Sequence, residues 1–531
     1  MAWWAASTMV LFALMVTWSL ATPLGAASDE PTHFIKAAAV ARGEFLGQPA
    51  TPGSSADARH QGRAVMTVLV PGAFAADSSL AHCYRHRPTR TAACAPPPGS
   101  SGRIVSTTTY VGRYPPLYYA IVGTPSLVWH SGAGIRLMRV LSCLASSLFL
   151  GLAFACAALW SKSRILIAGV ALAATPMVIF LGSVVNPSGL EIATAIAVWT
   201  TGLALVLDRS SDPPPLLLVA FFGSSCVLEL IRGLSPLWLA LILVALVCLE
   251  PAGCRRLIRL RPVKIGAAVV VAGGVLATLY IVLAQATAIT ASGIPLSANA
   301  TAMTVANLYV GRASFYVTQI VGVFGWLDNP APLLVVLAIG AGIVGLAWLA
   351  FATATRRHSA VLVGVLIASV FVPMAIDIKN ALQIHNDVWQ SRYAMPLYVG
   401  VPLIAAAIAG RSRAIKPIPA RRLIMAVAVV VAVSQFVCFF MALRRYVVGV
   451  KGTFNIFVHA PGDWSPPLPT VVCMVAAAVI AAIYGCMITG FDRHGPNGGD
   501  RMESTGPAAE AILEPADGRS PDRHLTQPSG P

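Results

Sequence analysis

Three ionisable residues, Asp29, Glu30 and His33, stand where an apolar run covering about residues 3–24 gives way to the polar stretch SDEPTHFIKAAAVARGEFLGQ (28–48). A carboxylate at such a boundary is half desolvated yet open to a polar substrate, so it can serve as a general base or bind a metal. The same residues also suit the ordinary start of a helix. Acidic side chains and Pro31 in a first turn satisfy free N–H groups and favour the positive end of the helix dipole. Both readings stand on the motif alone.

Further charges occur in apolar surroundings, where a charged side chain costs about 2.5 kcal/mol or more and needs a partner, water or a function. Arg136 and Arg139 stand three apart at the start of an apolar run, and Glu191 follows Asn186-Pro187-Ser188-Gly189. Glu229 and Arg232 are also three apart, a spacing that lets them pair on one helical face. Arg392 lies late in the chain. Taken singly, each is explained by a side chain reaching from a helix end to the interface. Together they predict an acidic and basic cavity at one leaflet. Arginine there suits a lipid phosphate or pyrophosphate, which it grips with two parallel hydrogen bonds.

These residues must be positioned by membrane helices. Of the 531 residues, 56% are hydrophobic and only 11% are charged, and the mean hydropathy is +0.74. Soluble domains carry roughly 25% charged residues, so the composition predicts an all-α polytopic membrane protein. The net charge of +16 sits largely in short basic linkers, which orient spans and argue against nucleic acid as a partner. Spans are expected near residues 3–24, 135–160, 165–185, 187–207, 214–231, 234–249, 265–288, 332–352, 360–376, 394–410, 423–443 and 470–490, about twelve in all. The linkers with Lys162 and Arg164, Arg255 to Lys264, Arg356 and Arg357, and Arg411 to Arg422 fall on one side. That side is expected to be the cytoplasm, with both termini there and the protein in the plasma membrane.

A polytopic domain therefore covers 1–490, with a long first extracytoplasmic loop at 23–130, and a Gly-, Pro- and charge-rich tail at 491–531 reads as disordered. The first apolar run has no Lys or Arg before Lys36, so it reads as a retained span rather than a signal peptide. After it, Phe34, Ala37, Ala38, Ala41 and Phe45 recur at helical spacing, the pattern of an amphipathic helix lying along the membrane surface. Cys83 and Cys94 are the two cysteines of the loop and are expected to form a disulfide. His82 and His86 beside Cys83 keep a metal site open as the alternative.

The acidic pair after the first span, the loop ending in YPPLYY (114–119), the outer NPSGLE (186–191), FGWLDNP (324–330) and the late QSRYAMPL (390–397) together resemble a family of bacterial polytopic membrane proteins defined by a domain of unknown function. That family is itself similar to the GT-C glycosyltransferases. The resemblance runs to about Gly490, and its most specific element is Gln390-Ser391-Arg392-Tyr393 followed by Pro396, with Ser391 where the family usually has Gly. It implies a GT-C-like fold and transfer of a sugar from a polyprenyl-phosphate donor on the extracytoplasmic face. The acceptor would be an envelope glycan, lipid or protein. Asp29 would be the catalytic base, with Glu30 as second candidate and His33 orienting the carboxylate or binding substrate. Arg392 would hold the lipid phosphate with Tyr393 beside it, and Tyr114, Pro115 and Pro116 would shape the acceptor side. Arg136, Arg139, Glu191 and Arg232 complete the candidate substrate-binding set.

Some GT-C enzymes use a divalent metal, Mg or Mn, and many use none; no cofactor is fixed by the lone acidic pair. Unlike in better-known GT-C members, no large soluble C-terminal domain is expected, which would leave acceptor recognition to the outer loops. Two other classes fit the same residues. One is a transporter or flippase for a lipid-linked glycan, which calls for charges near mid-membrane. The other is a non-catalytic envelope assembly protein, in which Asp29 would be dispensable and the loop disulfide would matter.

Overall fold

The computed structural model describes residues 2–50, 65–161, 163, 165–208, 212–287, 294–412, 415–457 and 463–493. The tail expected from 491 therefore lies outside the described residues from 494 onward. A chain in hydrocarbon must pair its backbone groups within each segment, and the apolar runs accordingly form helices. In chain order these are α1 (Ala2–Ala21), α2 (Glu30–Ala41), α3 (Gly72–Asp77), α4 (Leu117–Val122), α5 (Gly132–Leu159), α6 (Leu166–Ala173), α7 (Pro176–Gly182), α8 (Pro187–Leu207), α9 (Pro215–Glu229), α10 (Ser235–Leu249), α11 (Pro251–Leu257) and α12 (Arg261–Leu283). They continue as α13 (Ala302–Gly311), α14 (Ala313–Val321), α15 (Leu333–Thr353), α16 (Arg356–Ile384), α17 (Met395–Tyr398), α18 (Gly400–Ala409), α19 (Pro417–Val447) and α20 (Thr470–Arg493).

Among the described residues, eight helices are long and apolar enough to cross a membrane: α1, α5, α8, α12, α15, α16, α19 and α20. The α10–α11 pair, bent by 107°, would make a ninth. The difference from about twelve arises where apolar runs are interrupted. Residues 165–185 divide into α6 and α7 at Thr175-Pro176, because a proline has no N–H to continue the preceding helix. Residues 394–410 divide into α17 and α18, and the 214–231 run yields only the 15-residue α9.

The core is built around α8, every residue of which is buried. A helix that is apolar all round can be satisfied only in such a central place. At one end of the bundle Trp18 of α1 gathers the rings of Phe180, Phe324 and Phe439 at 5.7, 5.0 and 5.6 Å. At the far end of α8, Arg256 donates to the carbonyls of Leu205 and Asp208, and Ser161, Ser163, Asp208 and Arg411 line one small cleft. The described basic linkers thus meet the C-terminal end of α8. Glu191 lies near its other end, about 25 Å away along the 21-residue helix.

The first loop contains a three-stranded antiparallel sheet, β1 (Gln48–Pro49), β2 (Met66–Pro71) and β3 (Ile104–Thr109), in which Met66 pairs with Thr109 and Pro71 with Ile104. The expectation of a surface-lying amphipathic helix is corrected by α2, which is buried from Glu30 through Val40. Strands β2 and β3 and helix α4 pack around it, so its polar positions face protein rather than water. The fit with α4 is close: a Cβ on Gly123 would lie 2.0 Å from the Ala37 carbonyl oxygen. Lys36 is fully buried, and its ammonium donates to the carbonyls of Phe45 and Gly112. Burial pushes its pKa down to about 7, against the pull of Glu44.

Cys83 and Cys94 are joined in a disulfide. The small loop it closes is held by Arg445 of α19, which donates to the carbonyls of Tyr84 (2.8 Å), Arg90 (2.6 Å) and Arg87 (3.3 Å) and to Asp328 (2.7 Å). Two short ribbons order the later loops: β4 (Ile294–Pro295) pairs with β7 (Asn386–Asp387), and β5 (Val323–Phe324) pairs with β6 (Asn329–Pro330).

Candidate functional site

The acidic pair at the start of α2 divides at once. Glu30 is fully buried, and its two oxygens take the Nε and Nη2 donors of Arg139, each at 2.6 Å. They also accept from the backbone N–H groups of Gly25 and Val185. Arg139 spends its remaining donors on the carbonyls of Ser19, Thr22 and Pro23. All five N–H groups of this guanidinium are therefore matched within the protein. Glu30, the second candidate base, and Arg139, a candidate substrate-binding residue, are instead bound to each other in a clasp joining α1, α2 and α5.

Asp29 is arranged differently. It adopts a left-handed backbone, φ 66°, a conformation costly for most residues and tolerated by Asp. Its carboxylate accepts from the Tyr110 hydroxyl at 2.6 Å and pairs with Nη2 of Arg392. Arg392 sits on the 3-10 turn Ser391–Tyr393, and its Nη1 reaches the Ser28 carbonyl at 3.3 Å. The Asp29 side chain remains 21% exposed, whereas Arg392 is 3% exposed. Burial alone would push the Asp29 carboxyl up, but Arg392, the Tyr110 hydroxyl and His33 together hold it below the usual carboxylate range.

A second pair adjoins the first. Arg232, in the turn between α9 and α10, bonds Glu191 of α8 at 3.0 Å and the Ser188 hydroxyl at 3.2 Å, and Ser235 donates to the other Glu191 oxygen at 2.7 Å. The pairing that the Glu229–Arg232 spacing allows is not the one formed: Arg232 bonds across to α8, and Glu229 faces Gly273 and Gly274 of α12. The guanidiniums of Arg232 and Arg392 both lie over the Tyr393 ring, 5.0 and 5.3 Å from its centroid, and Arg232 is also 5.8 Å from that of Tyr114. Each of these two arginines keeps a buried Nε–H with no hydrogen-bond partner among the described residues.

His33, one turn along α2 from Asp29, is stacked on Tyr119, with its Nδ1 2.8 Å from the tyrosine hydroxyl. Burial, with Arg392 and Arg232 nearby, lowers its pKa to about 3 against the pull of Asp29. It is neutral at physiological pH. In that state it can hold a hydroxyl but cannot supply positive charge to an anion.

Asp29, His33, Tyr114, Glu191, Arg232, Arg392 and Tyr393 thus form one neighbourhood drawn from α2, α8, the α9–α10 turn and two loops. Arg136 is exposed on α5 and makes none of these contacts. Tyr110, Ser188 and Ser235 join the site although sequence reasoning passed over them. For Tyr110 the signal was the β-branched run Ile104–Thr109 directly before it, which reads as a strand and brings the tyrosine back to Asp29. A divalent ion does not suit this donor set. Both acidic side chains of the cluster are already matched to guanidiniums, and no three His, Cys, Asp or Glu side chains gather as a metal-holding group among the described residues. That includes the surroundings of His82 and His86, the latter lying edge-on to Trp326.

A family model described as "Predicted membrane protein (DUF2142)" matches residues 12–401, well over half of the chain. The chain belongs to this family. The matched DUF2142 region holds every residue of the cluster, from Asp29 to Tyr393. No curated protein matches the sequence. Among solved structures, ArnT from Cupriavidus metallidurans bound to undecaprenyl phosphate is similar at 13% identity and a TM-score of 0.41, over 92% of this chain and 76% of that one. The apo form of the same ArnT is similar at 13% identity and a TM-score of 0.36, over 72% and 67%. No residue role is carried across at these values.

Proposed function

We propose that this DUF2142 protein is a glycosyltransferase of the plasma membrane, working at the extracytoplasmic face with a polyprenyl-phosphate sugar as donor and an envelope glycan, lipid or protein as acceptor. The observation that carries the reading is the pairing of Asp29 with Arg392 beside Arg232, where two buried guanidiniums over one tyrosine ring each retain an unused N–H. Such a place suits an anion with several oxygens, as a phosphate diester has. The family's similarity to the GT-C glycosyltransferases agrees with it. The described basic linkers lie at the opposite end of α8, which supports the cluster facing outward and the termini facing the cytoplasm.

In this reading the resting pair is undone by substrate. A donor phosphate competes for Arg392, and the Asp29 carboxylate, losing its counter-charge, rises in basicity. The acceptor hydroxyl then gives its proton to Asp29 as its oxygen bonds to the anomeric carbon. The bond from that carbon to the phosphate oxygen breaks, and the departing charge is stabilised by Arg392 and Arg232. Tyr110 and neutral His33 position the groups around the carboxylate.

The test is transfer by the full-length protein in liposomes, supplied with radiolabelled undecaprenyl-phosphate sugars and an envelope extract as acceptor source. Label should pass to a new product, and Arg392→Lys should lower the rate about a hundredfold because a point charge cannot replace the fork. Chemically unchanged label appearing on the other leaflet would instead make the protein a transporter.

A further inference from the structure

On the far side of the Ser391–Tyr393 turn lies a second polar cluster that the proposed transfer does not use. Ser391 anchors it: its N–H donates to Oε1 of Gln319 at 2.9 Å, and its hydroxyl donates to the Tyr316 carbonyl at 2.9 Å. Asp387 accepts from Arg312 through one oxygen and from the Trp389 N–H, at 3.2 Å, through the other. The Tyr309 and Tyr316 rings meet at 4.8 Å, and those of Trp389 and Tyr393 at 5.6 Å. Helix α16, which carries Asp377, packs against α13 and against β7, which carries Asp387, and burial with both carboxylates pushes the Tyr316 phenol up.

Five polar atoms here have no hydrogen-bond partner among the described residues: Nε2 of Gln319, Nε1 of Trp389, Oε1 of Gln390, Oδ1 of Asp377 and the Tyr316 hydroxyl. Gln319, Trp389 and Asp377 are 2%, 6% and 1% exposed. An orphaned buried polar atom costs about 1–3 kcal/mol, so five in one neighbourhood are an expense that a fold retains for a ligand or ordered water. The mixture defines the ligand class. A phosphate needs donors only and a bare cation needs oxygens only. Here unpartnered donors and acceptors belong to residues linked through Ser391 and Asp387 beside aromatic rings, and a hydroxyl both gives and takes a hydrogen bond.

We infer that Gln319, Trp389, Gln390 and Asp377 form a subsite for the hydroxyl-rich glycosyl group of the substrate, adjoining the phosphate-binding Arg392. This rests on the transferase reading and adds the residues that would select the sugar. Gln390 and Ser391 connect the two sites directly, so the sugar and its phosphate would be held by one short segment.

The experiment measures binding to the full-length protein in nanodiscs, with bare undecaprenyl phosphate and its glucosyl, mannosyl and arabinosyl esters as probes. The wild type should bind at least one ester tenfold or more tightly than the bare lipid. Asp377→Asn and Trp389→Phe, each of which alters an atom without a protein partner, should remove that preference and leave the bare-lipid affinity within twofold. Arg392→Lys should weaken both kinds of probe. A wild type that binds bare lipid and all three esters alike, or variants that keep the preference, would overturn the subsite alone. A wild type that binds none of the probes would overturn the transferase reading and the subsite with it.

Discussion

Asp29 and Glu30 are neighbours in sequence, and each meets an arginine from a distant part of the chain, yet the two pairs are built for different ends. The Glu30–Arg139 pair is 0% and 1% exposed, with every guanidinium donor satisfied. In the Asp29–Arg392 pair the carboxylate is 21% exposed and the arginine keeps an unused Nε–H. Saturation makes a fastening, and an unsaturated pair beside a second arginine leaves room for a substrate. The difference comes from the backbone: the left-handed turn at Asp29 sends one acid toward Arg392, while the first turn of α2 sends the next toward α5.

The contrast can be broken most sharply at Glu30. Glu30→Ala leaves Arg139 buried without its counter-ion, and should cost about 3–5 kcal/mol, read as loss of folded protein in detergent thermal melts. Asp29→Ala, by comparison, should cost less, about 1–2 kcal/mol, because its carboxylate is partly exposed and fewer donors depend on it. Equal losses in the two variants would erase the distinction. Cys83→Ser probes the fastening of the first loop, whose closure across eleven residues should contribute about 2–3 kcal/mol. Transfer by the folded fraction should survive this change. Tyr110→Phe removes one hydrogen bond to a charged, partly exposed acid, so about 1 kcal/mol is expected. It should also raise the pH below which activity is lost, because Tyr110 helps hold the Asp29 pKa down.

His33 gives the most graded effect. Its folded pKa, about 3, lies below its ordinary value near 6.5, so the unfolded chain takes up a proton that the folded one refuses. The stability present above pH 6.5 should therefore decline progressively toward pH 3. Asp29, whose pKa is also lowered, loses stability in the same direction as it protonates. His33→Gln should flatten the part of the melting curve that begins near pH 6.5, and an unchanged slope would show that another group sets it.

The helical class and the grouping of charges at one end of the bundle were legible because charge in hydrocarbon is costly and sparse. Which acid would meet which arginine was not. Glu229 and Arg232 have an ideal helical spacing, but α9 ends at Glu229 and the chain turns before Arg232, which therefore reaches Glu191 on α8. The burial of α2 was also hidden. Its apolar spacing suits a membrane surface as well as a protein interior, and only the sheet formed by Met66–Pro71 and Ile104–Thr109 decides between them. That sheet left a trace in the alternation of Met66, Val68 and Val70, the buried positions of its central strand. The break within an apolar run at Pro176 was likewise readable as a proline, but hydropathy alone counted the run as a full span; the α17–α18 break, at Val399, carries no such sign.

The most direct measurement is sugar transfer from a polyprenyl-phosphate donor by Asp29→Asn, normalised to folded full-length protein and set beside the wild type. A near-isosteric amide keeps a hydrogen-bond acceptor for Tyr110 but cannot take the acceptor's proton at neutral pH. The expected result is at least a hundredfold lower rate with undecaprenyl-phosphate binding retained. Transfer at the wild-type rate would contradict the assignment of Asp29 as the base.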